Sequence, residues 1–436
     1  MKLNTKRTIL VGFAFMSISA FWQMYDSVIQ KVLKYDFGIG DTAVGAVMAL
    51  DNILALFLLP FFGMLSDRTR TKFGKRTPYI VFGTLSAVVL MGFLPVSIAS
   101  QSLLFFMVVL FLLLVAMSTY RSPAVALMPD VTPKPLRSKG NAIINLMGSL
   151  GGVLMLVLTK LLLVTREDGS EVYTNIIYAV AIFMVVAVVI VVLTIRENRL
   201  SEETAAINDA YDGEPEKQAV AADHSKASLK AMDPAVRKSL FLILGSVFFW
   251  FMGYNAVTSA FSRFVQEQWG LGLGSASNLL LVANAAALIC FIPIGILSSK
   301  FGRKRVIQFG VSLLALSFLA FALYPSYNFS IYIILALVGV AWASINVNSY
   351  PMVVEISKSG DVGQFTGYYY TFSMAAQAIT PTVSGFLMEH IGYHTLAPYA
   401  AIMVAISLIT ISLTKHGDSK PIPPKSKLEA YDAGDD

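Results

Sequence analysis

Cysteine and histidine are scarce in this sequence, which has one cysteine, Cys290, and four histidines among 436 residues. A single cysteine excludes a disulfide framework and a cysteine-based metal site, and its place in an apolar run favours core filling. His390 and His394 have a metal-like spacing, but they bracket a glycine in a predicted turn. We therefore expect no metal site, no cofactor and no enzymatic activity.

Charged residues are also scarce, at 14% of the chain against 56% hydrophobic residues. This composition is far from that of a soluble domain and indicates an integral membrane protein. The net charge of +6 could suggest nucleic acid, but the cations lie in short loops between apolar runs, where the positive-inside preference explains them. We expect a lipid bilayer around the protein and no nucleic acid.

Apolar runs recur along the chain in two sets of six, each long enough for a membrane span of about 20 residues. The predicted spans are 8–35, 42–65, 77–97, 102–129, 139–164, 173–195, 238–268, 275–298, 304–324, 328–356, 363–388 and 394–414. We predict an all-α membrane protein with twelve transmembrane helices in two pseudo-twofold six-helix bundles, 1–195 and 238–414. A polar stretch, 196–237, is predicted to be a mobile cytoplasmic linker, and 415–436 a disordered cytoplasmic tail.

A short basic loop occurs at the same place in both halves. It reads GMLSDRTRTKFGKR from Gly63 to Arg76 and GILSSKFGRKR from Gly295 to Arg305. Such a repeat implies a duplicated membrane bundle, an architecture typical of solute transporters.

The basic loops also set the orientation, because positive loops face the cytoplasm. They predict a multi-pass protein of the cell membrane with both termini cytoplasmic. Lys31, Lys34 and Arg166 fall on the predicted outer side and depart from this rule.

Charges inside predicted spans are the sharpest functional signal, because each Asp or Arg near a helix centre costs about 2.5 to 3.5 kcal/mol on insertion scales. Asp26, Asp51 and Arg121 are such residues. Counting from inner-face charges at roughly 1.5 Å per residue places both carboxylates at about 24 to 28 Å and Arg121 at about 14 Å. We expect these residues to couple transport to a proton, which one carboxylate holds while Arg121 pairs with unprotonated carboxylate or with substrate. A static buried ion pair is the alternative.

Neutral polar and aromatic residues recur at helical spacing in several spans. Amides, hydroxyls and aromatic faces suit a sugar, which offers many hydroxyls and an apolar C–H face. For each residue taken singly, ordinary hydrogen bonding between helices remains an alternative. The predicted substrate-binding residues are Trp22, Tyr25, Arg121, Tyr254, Asn255, Ser259, Trp342, Asn346, Tyr370 and Gln377.

Carboxylates and arginines also occur together at the predicted cytoplasmic ends of the spans. They can form ion pairs that close the inner face, or they can serve only to set topology. The residues predicted for a cytoplasmic gate are Asp67, Arg68, Arg76, Asp130, Arg137 and Glu355. Near the opposite face, Arg263 and Glu267 have i, i+4 spacing. They form either an external gate or a solvated pair, and we favour the solvated pair.

The loop from Gly63 to Arg76 resembles the signature loop of the major facilitator superfamily. Its form, Ser-Asp-Arg-(x)5-Gly-Lys-Arg-(x)-Pro, is similar to that of sucrose transporters and the wider glycoside-pentoside-hexuronide:cation symporters. The stretch from Tyr120 to Asp130 is similar to the fourth span of that group, in which an arginine is implicated in sugar transport. The resemblance covers residues 8–414 and implies two six-helix bundles that rock around a central site.

The resemblance also bears on the coupling ion. Asp51 resembles the first acid of a second-span pair in melibiose-type permeases, but Ala55 takes the place of the second acid. That difference favours a proton over sodium. Asp26 corresponds more loosely to a first-span acid of the same permeases.

We therefore predict a secondary active transporter that imports a di- or oligosaccharide, for example sucrose or maltose, by proton-coupled symport through alternating access. An exporter of small amphipathic compounds in exchange for protons is the alternative within transport. A sugar receptor without transport is a third hypothesis. We expect a monomer whose other partner is the small-molecule sugar.

Overall fold

The computed structural model describes residues 3–133, 136–167, 169–213, 232–354, 356 and 362–418. Within them nearly all regular structure is helical. Inter-residue contacts divide the chain into two units, of which unit 1 comprises Met1–Gly213 and Phe261–Leu281, and unit 2 comprises Glu214–Ala260 and Val282–Asp436. The C-terminal part of the seventh predicted span therefore belongs to unit 1, together with the first half of the chain.

The first half of the chain provides eight of the described helices and a two-stranded hairpin. The helices are α1 Thr5–Met24, α2 Asp41–Met48, α3 Leu50–Arg68, α4 Thr77–Ala99, α5 Leu103–Asp130, α6 Arg137–Leu162, α7 Thr174–Thr194 and α8 Glu197–Gly213. The antiparallel hairpin joins β1 Val164–Thr165 to β2 Glu171–Val172. In unit 1, α1 packs against α6 and α7, and α4 packs against α5 and α7.

Six further helices follow in the described part of the second half. They are α9 Pro234–Trp269, α10 Leu273–Phe301, α11 Arg303–Ala322, α12 Ile331–Val354, α13 Val362–His390 and α14 Leu396–Ser412, the last preceded by a 3-10 turn, Tyr393–Thr395. In unit 2, α11 packs against α12 and α14.

The predicted membrane spans match this helix pattern. Among the described residues, eleven helical stretches are long and apolar enough to cross a membrane, and α13 occupies the place of the remaining predicted span. The protein is thus an all-α membrane protein, and its apolar surface is extensive, as Leu104 and Leu193 illustrate at 77% exposed each.

The first two predicted spans are less regular than an uninterrupted helix. After α1 the chain continues as two π-helical segments, Tyr25–Ile29 and Val32–Asp36. The second span is interrupted at Ala49, between α2 and α3. Both irregularities fall within two residues of a predicted coupling acid.

The predicted linker also differs from the structure, because its first part forms the helix α8. Apolar periodicity is weak there, but α8 is anchored by a tertiary contact at Glu197, which is 2% exposed. Residues 214–231 of the linker and 419–436 of the tail lie outside the described part of the chain.

Candidate functional site

The π-helical segment positions the first predicted coupling acid. Asp26 follows Tyr25 at the start of that segment, and π-helical turns within α-helices occur frequently at functional sites. Its side chain is exposed, whereas the neighbouring Tyr25 and Ser27 are buried. The side-chain amide of Gln30 donates to the Asp26 backbone carbonyl.

The interruption at Ala49 positions the second acid. Asp51 lies in the first turn of α3, where the positive end of the helix dipole stabilises a carboxylate. Asn52 Nδ2 donates to Asp51 Oδ1 at 2.8 Å. The Tyr25 hydroxyl reaches the end of α2, 3.3 Å from the Val47 carbonyl oxygen.

Three predicted charges and two predicted aromatic residues come together in unit 1. Asp26 and Asp51 repel each other electrostatically, and Asp51 is attracted by Arg121. The Arg121 guanidinium lies over the Trp22 ring, with Cζ 5.5 Å from the ring centroid, a cation–π geometry. Trp22 in turn meets Tyr25 edge to face at 5.5 Å. Asp51 is thus close enough to Asp26 and to Arg121 for electrostatic interaction, and Arg121 lies against the Trp22 ring, which contacts Tyr25.

Trp22 also presents an unused donor. Its Nε1 is buried and has no hydrogen-bond partner among the residues that the structure describes. A buried unpaired donor costs about 1 to 3 kcal/mol, so a ligand oxygen at this position would be stabilised.

Unit 2 holds most of the other predicted substrate residues. Tyr254 and Trp342 stack face to face, with ring centroids 3.6 Å apart and planes 4° from parallel. Both are half-buried, as are Asn346 and Gln377. The stack is a flat apolar surface of the kind on which a ring can lie.

Two predicted substrate residues of α9, Asn255 and Ser259, make bonds within their own helix. Asn255 Nδ2 donates to the Phe251 carbonyl at 2.9 Å, and Ser259 Oγ donates to the Asn255 carbonyl at 2.6 Å. Tyr370 is 36% exposed and stands at 82° to the Tyr369 ring, 5.6 Å away. Asn255 and Ser259 are therefore held by bonds within their own helix, whereas Tyr254, Trp342 and Tyr370 make aromatic contacts.

Arg76 organises the predicted gate at the end of unit 1 that carries the signature loop, here called the basic-loop end. Its Nε lies 2.8 Å from Asp130 Oδ2, and its Nη2 pairs with Asp67. Lys75 Nζ is 3.1 Å from the same Asp130 oxygen. Arg68 is exposed, and the Arg137 side chain and residue Glu355 lie outside the described part of the chain.

Glu197 is a residue of this cluster that the sequence did not predict. It is 2% exposed, and its carboxylate accepts from the backbone N–H groups of Lys75, Arg76 and Thr77, each at 2.8 Å at its closest. The Thr77 hydroxyl donates to it at 2.7 Å. Arg76 is the N-cap and Thr77 the first residue of α4, and their N–H groups have no partner within that helix, so Glu197 caps α4 from the start of α8.

A second buried charge cluster lies at the opposite end of unit 1, the hairpin end. The sequence predicted a solvated Arg263, but the side chain is 0% exposed. Its Nη1 is 2.5 Å from Asp41 Oδ1, and its Nε donates to Gln30 Oε1 at 2.8 Å. Lys34 Nζ is 2.6 Å from the other Asp41 oxygen. The interpretation of Arg263 as a partner of Glu267 in solvent is wrong, because the partner lies 222 residues away in sequence.

Glu171 forms the other half of the hairpin-end cluster. Its Oε2 pairs with Lys31 Nζ at 2.5 Å, and its Oε1 accepts from the Leu273 backbone N–H at 2.5 Å. Lys31 and Lys34 thus have buried carboxylate partners, which accounts for their departure from the positive-inside pattern.

The helical fold and its charged interior define a class of protein, a multi-pass membrane protein. The sequence model of the protein family "Major Facilitator Superfamily" matches this chain over residues 11–291 and 242–431. The chain belongs to the major facilitator superfamily and is a membrane transporter rather than an enzyme. Among the described residues, no group of three or more His, Cys, Asp or Glu side chains could hold a metal ion.

Curated relatives are distant. The chain is 23% identical over 407 residues to an uncharacterized MFS-type transporter, MJ1317 of Methanocaldococcus jannaschii, covering 92% of this chain and 93% of that protein. It is 25% identical over 172 residues to an uncharacterized MFS-type transporter, YfkL of Bacillus subtilis, covering 38% and 43%. It is 26% identical over 188 residues to the quinolone resistance protein NorA of Staphylococcus aureus, covering 42% and 47%. The matches thus span less than half of YfkL and of NorA.

Solved structures share the fold over nearly the whole chain. A POT family transporter in complex with 5-aminolevulinic acid superposes with a TM-score of 0.69 at 12% identity, covering 94% of this chain and 96% of that one. A D-xylose-proton symporter superposes with a TM-score of 0.67 at 13% identity, covering 94% and 97%. At these identities the likeness concerns the fold alone.

Proposed function

We propose that the protein imports a glycoside, a di- or oligosaccharide such as sucrose or maltose, together with a proton. The observation that carries this proposal is the grouping of Asp26, Asp51 and Arg121 around Trp22. Two carboxylates that repel each other favour sharing a proton, and a permanently charged guanidinium can exchange a carboxylate partner for a substrate oxygen. The cluster therefore offers both a proton carrier and a substrate contact.

The aromatic surfaces support a sugar as the substrate. Trp22 in unit 1 and the Tyr254–Trp342 stack in unit 2 offer flat faces to the C–H side of a ring. The buried Trp22 Nε1 offers a donor to a hydroxyl oxygen. The fold is also that of a D-xylose-proton symporter. We propose a cell-membrane location with both termini cytoplasmic, a monomeric state, and a proton rather than sodium as the coupling ion.

The ion pairs of unit 1 suit a transporter that alternates between two access states. At the hairpin end, Arg263 from the second half of the chain pairs with Asp41 from the first. At the basic-loop end, Arg76 joins Asp67 and Asp130. Both clusters are formed in the structure, and in this proposal the Arg263–Asp41 pair, which joins the two halves of the chain, breaks when the hairpin end opens. The substrate site then faces one side at a time.

Export of amphipathic compounds is the second candidate, and the similarity to the quinolone resistance protein NorA favours it. The same carboxylates would then release a proton inward as the compound leaves. The two candidates differ in the direction of coupling.

Purified protein in liposomes tests the proposal. We expect labelled sucrose or maltose to accumulate inside when the outside is acidic, and an inward sodium gradient to give no accumulation. Asp51→Asn should reduce proton-driven accumulation at least tenfold, because a neutral amide cannot carry the proton, while Glu202→Gln, an exposed acid on α8, should leave it unchanged. Accumulation that persists fully in both Asp51→Asn and Asp26→Asn would overturn the coupling role of these acids. Proton-driven extrusion of a quinolone without sugar uptake would overturn sugar import.

A further inference from the structure

Four cations line one cleft at the basic-loop end of unit 1. Lys6 and Arg7 come from the start of α1, and Arg196 and Arg199 from the junction of α7 and α8; the cleft has a volume of about 410 Å³. One carboxylate shares it, Glu203, which pairs with Arg199 at 2.9 Å. The cleft therefore has a net positive charge, and Lys6, Arg7 and Arg196 take no part in the ion pairs described above.

The cleft lies where apolar surface gives way to charge. Leu193 is 77% exposed one residue before the end of α7, and Ile9 is 38% exposed in the first turns of α1. In a membrane protein such side chains face lipid, so the cations beside them stand at the level of the headgroups.

An apolar groove reaches the same point of α7. It lies between α4 and α7, has a volume of about 240 Å³ and is lined from Val81 and Val185 to Val192 and Leu193. Its last two lining residues, Val192 and Leu193, directly precede Thr194. Thr194 is the last residue of α7 and lines the cationic cleft. A polar anionic head and an apolar chain are thus both provided for at one helix end.

We propose that the cleft binds the phosphate headgroup of an anionic phospholipid, with an acyl chain in the groove between α4 and α7. Arginine suits this ligand because its planar guanidinium donates two parallel hydrogen bonds to phosphate oxygens. The proposal is independent of the transported substrate.

The bound lipid would also act on the signature loop. Arg196 and Arg199 flank Glu197, the carboxylate that caps α4 and holds Lys75 and Arg76. A headgroup on both arginines therefore steadies α8 and, through Glu197, the loop that carries the gate charges.

Lipid titration of the detergent-purified full chain tests the site. The probe is fluorescent dioleoyl phosphatidylglycerol. Dioleoyl phosphatidylcholine, whose headgroup has no net charge, is the control lipid, and inorganic phosphate is the soluble competitor. We expect Arg196→Gln/Arg199→Gln to bind phosphatidylglycerol roughly thirtyfold more weakly, since each basic residue near an anionic headgroup contributes about 1 kcal/mol and 1.4 kcal/mol is about tenfold. Arg196→Lys/Arg199→Lys should bind within about fivefold of wild type, because the charge is kept, which also shows that the fold survives substitution there.

The matched control is Arg70→Gln/Arg305→Gln, which removes two exposed cations outside the cleft and should bind like wild type. In the wild type, phosphatidylglycerol should also slow trypsin cleavage between residues 68 and 76, and it should not do so in Arg196→Gln/Arg199→Gln. Equal binding by the glutamine variant and wild type, equal affinity for phosphatidylcholine, or full competition by millimolar phosphate would overturn the lipid site.

Discussion

Arg263 is a charged side chain with no exposed surface, and its neighbours explain how the fold tolerates it. Burying an ion costs several kcal/mol, which only good pairing and further hydrogen bonds offset. Asp41 supplies the countercharge at 2.5 Å and Gln30 a neutral acceptor at 2.8 Å. Asp41 has a second cation, Lys34, at 2.6 Å, so the two members of the pair do not depend equally on each other.

Asp41→Asn should therefore destabilise the protein more than Arg263→Gln. The asparagine variant leaves Arg263 buried without a countercharge, at a cost of about 3 to 5 kcal/mol, whereas in Arg263→Gln the acid keeps Lys34. Thermal unfolding in detergent measures both, with Glu202→Gln as an exposed control that should shift the midpoint little. Equal losses, or a larger loss for Arg263→Gln, would contradict this asymmetry.

The sequence identifies the charged residues whose burial in a membrane span costs free energy, but it does not identify their partners. Asp26, Asp51 and Arg121 stand out because each interrupts an apolar run, and the structure brings them together. Glu267 offers Arg263 a partner at helical spacing, but the residue that Arg263 binds, Asp41, is distant in sequence. Local spacing predicts local pairs, and only the packing of α9 against the first half reveals a better one.

The helix α8 stabilises the start of α4, a role that its polar composition does not predict. Its first residue, Glu197, carries the carboxylate that accepts three backbone N–H groups and one hydroxyl at the start of α4. Gly74 precedes that start with φ of +118°, and a Cβ there would collide with the Glu197 carboxylate. The loop thus needs glycine both for its conformation and for the close approach of the cap.

Glu197→Gln should loosen the signature loop. The amide keeps one acceptor but turns an NH₂ group toward donors, and a hydrogen bond to a charged group contributes about 1.5 to 3 kcal/mol. We expect a lower unfolding midpoint and trypsin cleavage between residues 68 and 76 at least several-fold faster than in wild type.

Asp418→Asn is the comparison for that experiment. Asp418 is exposed and accepts one backbone N–H, that of Lys304, at 3.0 Å, so its substitution should have a smaller effect on stability. Unchanged cleavage in Glu197→Gln would show that the cap does not hold the loop.

At the scale of the whole molecule, the same type of helix capping by a carboxylate occurs in both halves of the chain. Glu197 follows the last helix of the first half and caps α4, and Asp418 follows the last helix of the second half and caps α11 at Lys304. Gly302 has a positive φ of 93°, like Gly74. Duplication therefore preserved the turn and the capping carboxylate, although Ser299 stands where Asp67 has its acid.

The lone cysteine makes the proposed topology directly testable. In a Cys290→Ser background, Glu202→Cys on α8 and Glu167→Cys beside the hairpin place exposed thiols at opposite ends of unit 1. With both termini cytoplasmic, an impermeant maleimide added to intact cells should label Glu167→Cys and not Glu202→Cys. Detergent permeabilisation should expose both, and the reverse pattern in intact cells would invert the orientation.

The sequence by itself determined the membrane class, the helical spans, the duplication and the family, because apolar length, basic loops and the signature motif are all local patterns. It also marked Asp26, Asp51, Arg121 and Trp22 as unusual. The tertiary structure alone decided the partner of Arg263, the capping by Glu197, the breaks beside Asp26 and Asp51, and the cationic cleft. The Arg263 pair, the Glu197 cap and the cleft depend on contacts between residues far apart in sequence, since a buried charge or an unsatisfied N–H group takes whichever partner the packed helices bring within hydrogen-bonding distance.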